Sequence, residues 1–230
     1  MAEHGGVHDG ASAADLLRGR TRLVPAPFVP EVLLHVGSGV VELWEGVEAH
    51  VGRSGLEPPF WAFPWAGGQA LARYVLDHPH VVAGRRVLDV ASGSGLVALA
   101  AARAGAASVL ADDVDPLALQ AVRANAAANG LAVAVTGEDL LDGDGGGADV
   151  VLVGDACYAR ALALRVTAFC ERAAARGAAV LLGDPGRAHL PRERLRRVAT
   201  YDVPVLAELE DREVKRTAVW TVAPAAAGTP

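Results

Sequence analysis

Cysteine is nearly absent, with two among 230 residues. Cys157 and Cys170 lie far apart in apolar stretches without CxxC spacing, which excludes the usual paired-thiol redox and metal motifs. They read as reduced structural thiols of a cytoplasmic protein, and a distant histidine gives no reason to invoke thiol catalysis. Aromatic residues are also scarce, at 5%, while 52% of the chain is apolar and dominated by Ala, Val and Leu. That is an ordinary globular composition. No apolar run approaches transmembrane length, and the N-terminus has His, Glu and Gly where a signal peptide needs an apolar core. Neither a membrane protein nor a secreted one is expected. Basic residues are in deficit: 21 Lys and Arg against 27 Asp and Glu leave a net charge of −6. The balance argues against non-specific binding to nucleic acid or anionic membranes.

What is present fits one α/β domain with an N-terminal extension and no internal repeat. The organising stretch runs from Arg85 to Gly95. Val87, Leu88 and Val90 make a short strand apolar on both faces, interrupted by Asp89. Ala91-Ser92-Gly93-Ser94-Gly95 is a loop of very small residues, and an apolar helical segment, Leu96 to Ala104, follows at once. Strand, glycine loop and helix open a nucleotide-binding βαβ unit, in which a ligand approaches the backbone and the unpaired N–H groups of the helix start. Gly93-x-Gly95-x-x-Ala98 also satisfies the dinucleotide pattern. Asp89 decides between them. Beside the loop, a carboxylate repels a pyrophosphate and suits a ligand carrying an amino group and a sulfonium, such as S-adenosylmethionine.

The next apolar strand, Ala107 to Asp113, ends in two acids. Asp113 stands at the distance expected for a carboxylate that binds both ribose hydroxyls, with Asp112 as the alternative. Asp115 and Pro116 start a helix that Gly130 closes. Its Asn125 and Asn129 are assigned to capping and packing. A third strand, Leu131 to Thr136, leads to Asp139, a candidate acceptor for the adenine amino group. The fourth, Asp149 to Asp155, ends in an acid followed by Ala156-Cys157-Tyr158 and a helix from about Ala159 to Ala175. The fifth, Gly177 to Gly183, leads into the turn Asp184-Pro185-Gly186-Arg187. A short basic helix is predicted over Pro191 to Val198. Tyr201 to Leu209 and Val214 to Val222 then form an antiparallel hairpin. Five βα steps and a closing hairpin result.

Upstream, Met1 to about Ser12 is predicted to be disordered, and Ala13 to Arg20 a short helix. Pro25, Pro27 and Pro30 hold the chain extended into the strand-like Val32 to Val36. Pro59-Phe60-Trp61-Ala62-Phe63-Pro64-Trp65-Ala66-Gly67-Gly68-Gln69 precedes a helical run from Ala70 to Asp77. Its aromatics either staple the segment to the core or build a lid, with Trp65 offering a ring face to a cation and Gly68 allowing close backbone approach. His78-Pro79-His80 lacks the partners of a metal site, and no metal is expected. Arg192, Arg194, Arg196 and Arg197 read as a solvated face, or a dock for an acidic partner.

The stretches PFWAFPWAGGQALARYVLD, VLDVASGSG, ADDVDP, VVLVGDACY and VLLGDPGR, in this order, resemble the seven-stranded S-adenosylmethionine-dependent methyltransferases. More closely they resemble the electron-transfer flavoprotein β-subunit lysine methyltransferase family and its bacterial relatives, from about Thr21 to Val222. The resemblance implies a Rossmann-like seven-stranded α/β sheet, mostly parallel, with a C-terminal antiparallel hairpin. Asp155-Ala156-Cys157-Tyr158 matches the family's acidic-x-x-aromatic pattern, which makes Asp155 and Tyr158 the catalytic candidates. Trp65, Gly68, Asp89, Ala91, Gly93, Gly95, Asp113 and Asp139 are the cofactor-binding candidates. Ala91 departs from the glycine common at that position, a small loss if its φ is negative. The chain then divides into a tail (1–20), an extension and cofactor lid (21–80), the cofactor-binding domain (81–222) and a second tail (223–230).

The implied function is methyl transfer from S-adenosylmethionine to a protein lysine, with Asp155 orienting the amine and Tyr158 lending a ring face or hydroxyl. The partner is a protein substrate such as the electron-transfer flavoprotein β-subunit, and the enzyme a cytoplasmic monomer. A small-molecule, nicotinamide-type N-methyltransferase would share every cofactor motif. A non-catalytic protein that binds the cofactor or a partner is the third reading, disfavoured by the acids at Asp89, Asp113 and Asp155.

Overall fold

The computed structural model describes residues 17, 19–55, 57–205 and 212–222. The tails expected at 1–12 and 223–230 lie outside them, as do the end of the strand expected to reach Leu209 and the start of the turn after it. Of the helix expected over 13–20, Leu17, Gly19 and Arg20 are described, and all three are helical.

A seven-stranded sheet has the order β5-β4-β3-β6-β7-β9-β8. Strands β3 (Arg86–Val90), β4 (Ser108–Asp112), β5 (Ala134–Thr136), β6 (Val150–Gly154) and β7 (Ala179–Asp184) run parallel. β9 (Val214–Val222) pairs antiparallel with both β7 and β8 (Leu195–Pro204). The mostly parallel sheet and closing hairpin are thus those expected. Alternate residues of β3 feed opposite cores, Val87 one and Leu88 the other. This is why Val87, Leu88 and Val90 are all apolar instead of alternating with polar residues, Asp89 alone breaking the run.

On one face of the sheet lie α2 (Ala66–Asp77), α3 (Leu96–Arg103) and α4 (Pro116–Asn129). α5 (Arg160–Ala175) covers the other through Val166, Phe169, Cys170 and Ala173. α4 starts as its residues dictate, Asp115 accepting the Leu117 N–H at 2.8 Å with Pro116 behind it, and ends on Gly130 at φ 63°. α3 is buried from Leu96 through Ala101, the small alanines admitting the sheet and two flanking helices.

The N-terminal extension forms an antiparallel hairpin, β1 (Thr21–Ala26) and β2 (Val29–Gly37), followed by α1 (Val40–Val51). Leu43 and Val47 of α1 pack with Trp61, Phe63, Ala118 and Ala121. Asn125 and Asn129 hold the hairpin: Asn125 Oδ1 accepts the His35 N–H at 2.7 Å, and Asn129 both accepts from and donates to the Leu33 backbone.

Two expectations are corrected. Residues Pro191 to Val198 do not make a basic helix: a 3₁₀ turn over Arg192–Arg194 gives way to β8 at Leu195. Pairing with β9 outweighs the local preference of the arginines, whose charged ends remain in solvent. Nor are there five βα steps, because among the described residues β5 and β7 are followed only by 3₁₀ turns. Gly143 to Gly147 and Pro185-Gly186 lie in those connections, where a helix would be broken.

Candidate active site

The carboxyl ends of β3, β4 and β6 open into a cavity of about 880 Å³. It sits where the strand order reverses around β3, the position at which doubly wound sheets hold ligands. Val47, His50 and Val51 of α1 line it together with the aromatics from Phe60 to Trp65, and Tyr158 and Arg187 border it beside Phe60 and Trp65.

The loop after β3 turns left-handed three times, at Ala91 (φ 53°), Gly93 (φ 52°) and Gly95 (φ 77°). The Gly95 N–H closes it on the Ser92 carbonyl at 2.8 Å. The condition under which Ala91 would cost little is not met, since its φ is positive and its Cβ is strained there. Gly95 does not line the cavity. A Cβ there would press on Val122 of α4 at 3.0 Å, so this glycine serves helix packing. The other nine expected site residues all border the same cavity.

Seven carboxylates border it: Glu57, Asp89, Asp112, Asp113, Asp115, Asp139 and Asp155. Asp113 Oδ2 accepts the Gly93 N–H at 2.8 Å and Oδ1 accepts the Asp115 N–H at 3.0 Å. Burial raises its pKa, and the two N–H donors oppose that rise. Asp89 is 1% exposed and turned toward α3, where Oδ2 accepts the Ala98 N–H at 3.0 Å. Its Oδ1 is buried without a partner, and so is Oδ1 of Asp112. Burial pushes Asp89 up to about 8 and Asp112 up to about 7, neighbouring acids adding to both. A cation in the cavity would stabilise the ionised forms of both, whereas both would repel a pyrophosphate. Asp139 is ion-paired with Arg165 at 2.8 Å, which holds its carboxyl below the usual range, and it also caps the Leu141 N–H. Any contact with an adenine amino group must share oxygens already in use.

The expected catalytic pair sits at the end of β6. Asp155 is buried at φ 62°, a left-handed conformation that turns its carboxylate back under the start of α2. There Oδ2 accepts the Gly67 N–H at 2.8 Å and Oδ1 accepts from Arg187 Nε at 2.6 Å. The approach depends on glycine: a Cβ on Gly67 would collide with the Gly183 carbonyl and with Asp155. The Arg187 guanidinium also lies 5.7 Å from the centre of the Trp65 ring, so the cation nearest that face is the protein's own. Tyr158 packs its ring against Phe60 at 5.3 Å, and burial raises its phenol.

Arg187, Gly67 and Asp184 are site residues that the sequence does not single out, whereas Asn125 has the packing role assigned to it. Arg187 was visible in VLLGDPGR but read only as part of a turn; Asp184 Oδ1 builds that turn by accepting the N–H groups of Gly186 and Arg187. Asn125 bridges from the hairpin to the glycine loop, donating to the Ser94 carbonyl at 2.9 Å. Among the described residues there is no group of three or more metal-ligating side chains, and no helix is long and apolar enough to cross a membrane.

Comparison with known proteins bears on this architecture. A family model described as ribosomal protein L11 methyltransferase (PrmA) matches residues 69–170. The electron transfer flavoprotein beta subunit lysine methyltransferase of Rattus norvegicus is 38% identical over 172 residues, covering 72% of this chain and 68% of that protein. Its Xenopus laevis counterpart is 33% identical over 213 residues, or 89% and 84% of the two chains. The chain belongs to the electron transfer flavoprotein beta subunit lysine methyltransferase family. The Danio rerio member is 40% identical over 168 residues, which span 70% of this chain and 65% of that protein. Among solved structures, a Thermus thermophilus 16S rRNA guanine methyltransferase in complex with AdoMet and guanosine superposes with a TM-score of 0.55. Identity is 18%, over 88% of this chain and 50% of that one, so the likeness extends to the fold. The lysine methyltransferase family and that fold agree with the sheet order and with the cavity at its switch point.

Proposed function

We propose that this chain transfers a methyl group from S-adenosylmethionine to the ε-amine of a protein lysine, with the electron transfer flavoprotein beta subunit as the first acceptor to test. The observation that carries the reading is the acidic cavity at the switch point, with seven carboxylates and two buried, unpartnered carboxylate oxygens, in a member of this family. When bound, the cofactor supplies a methyl carbon already activated by a sulfonium leaving group. The protein's part is then alignment and desolvation.

Asp113 serves as the ribose acid, its carboxylate held in place by Gly93 and Asp115. Gly93 gives the methionine portion close access to the backbone, and Asp89 and Asp112 supply the negative potential beneath it. Asp139, fixed by Arg165, marks the adenine end. Trp65 and Gly68, from the 21–80 extension, close the cavity from above. Asp155 and Tyr158 face the acceptor. A lysine of ordinary pKa, near 10.4, must reach this wall without its proton before its lone pair is available. A cytoplasmic, monomeric enzyme with no nucleic-acid partner belongs to the same reading, and the free, buried Cys157 and Cys170 are in keeping with a reducing compartment.

The test is incubation with methyl-labelled cofactor, first with recombinant electron transfer flavoprotein and then with lysate of the source organism. Label on lysine of the beta subunit is the expected result. Label confined to a small metabolite would overturn the protein-acceptor reading, and no cofactor binding at all would overturn the enzyme.

A further inference from the structure

The acidic-x-x-aromatic wall is not the open carboxylate that its sequence suggests. Asp155 has both oxygens engaged, one by the Gly67 N–H and one by Arg187 at 2.6 Å, with the Arg187 side chain 19% exposed and the Asp155 side chain 4%. Both residues border the cavity. An unpaired aspartate there would bind an incoming lysine as its ammonium and so hold the proton that must leave. A paired one does not.

From this we infer that Arg187 is a positioning residue that quenches Asp155, so that the acceptor amine is admitted in its neutral form. The inference rests on the amine-methylating reading above. The cation is well fixed for the task. Its backbone N–H is tied to Asp184 Oδ1 at 2.7 Å, and its guanidinium lies over the Trp65 ring. Among the described residues, the other groups around the pair are few. α2 brings an N–H and has no acidic residue in its first turn. The β7 end brings Asp184, and the segment after β6 brings Cys157 and Tyr158. Glu57 acts on Tyr158, and Arg192 reaches the turn at Gly186. Of these, only Arg192 is a second cation, and its guanidinium nitrogen is placed against Gly186.

The experiment uses the full chain, S-adenosylhomocysteine and the electron transfer flavoprotein beta subunit. Calorimetry of acceptor binding in two buffers of different ionisation enthalpy counts the protons released at pH 7.5. The wild type is expected to release about one proton per acceptor, because the lysine enters neutral. Arg187→Met, which keeps the stem and removes the charge, is expected to release far less. Adding Asp155→Asn to it should restore release, and Arg187→Lys should resemble the wild type. Single-turnover rates at saturating acceptor should agree, their rise with pH moving up by about one unit in Arg187→Met and returning in the double variant. Equal proton release and superimposable profiles in wild type and Arg187→Met would overturn the inference while leaving the methyltransferase reading intact. No transfer of label to the beta subunit by the wild type would overturn that reading and this inference with it.

Discussion

Ala91 carries a side chain where the backbone turns left-handed, at φ 53°. An L-residue there costs roughly 1–2 kcal/mol relative to glycine, while glycine gives back roughly 0.4–1 kcal/mol through the freedom of the unfolded chain. Ala91→Gly is therefore expected to stabilise the protein by about 0.5–1 kcal/mol, read as a higher urea midpoint at unchanged slope. A lower midpoint would mean that the methyl's packing beside the sheet outweighs its strain. Asp155 shares the positive φ but differs in kind, because its conformation is what delivers the carboxylate to Gly67 and Arg187. Strain at that residue is tied to the site rather than left over from it. The residue scale is also where sequence reading was least complete. The acids announced themselves at strand ends, but the partner of Asp155 lies 32 residues away, and a turn arginine carries no local sign of that contact.

The clasp between α4 and the N-terminal hairpin is a property of elements. Asn125 and Asn129 are four apart on a helix, a rise of about 6 Å, and Leu33 and His35 are two apart on a strand, about 6.6 Å. The match lets one helix face satisfy the backbone of one strand edge. Asn125 is fully buried and also holds the Ser94 carbonyl of the glycine loop. Asn125→Ala leaves the His35 N–H and the Ser94 carbonyl unpaired and is expected to destabilise the fold by about 2 kcal/mol or more. Denaturant unfolding measures it; a change within about 0.5 kcal/mol would show that water replaces the side chain. The parallel strands were legible as apolar runs closed by acids, and α4 by Asp115, Pro116 and Gly130, because those signals are local. β8 was not. Four arginines among Arg192 to Arg197 look helical and solvated until β9, which is not adjacent in sequence to that stretch, supplies the ladder. Nor was α1 named as a helix, since its Leu43 and Val47 acquire meaning only against Trp61 and Phe63.

At the scale of the whole molecule, the sheet gathers carboxylates from three strand ends into one cavity, and this couples ligand binding to folding and pH. Asp89 and Asp112 are held up at about 8 and about 7, chiefly by burial. A carboxyl raised in the folded state keeps a proton that the unfolded chain has already released. Its contribution to stability is complete below about pH 4 and is lost as the pH climbs through 7 and 8. The ligand-free protein is therefore expected to melt at progressively lower temperature between pH 6 and 8.5. A cation in the cavity reverses the preference, since it stabilises the ionised acids. S-adenosylmethionine and S-adenosylhomocysteine differ only by the methyl and the charge it puts on sulfur, so the ratio of their affinities reports that charge once each ligand's own amine titration has been subtracted. That ratio should rise in favour of S-adenosylmethionine by about threefold to tenfold from pH 6 to 8.5 as the carboxylates ionise. Titration calorimetry at several pH values, alongside thermal melts, measures both trends. Asp89→Asn with Asp112→Asn should flatten them together. A ratio that stays constant in the wild type would mean that these buried acids shape the glycine loop and the strand ends without sensing the charge of the cofactor.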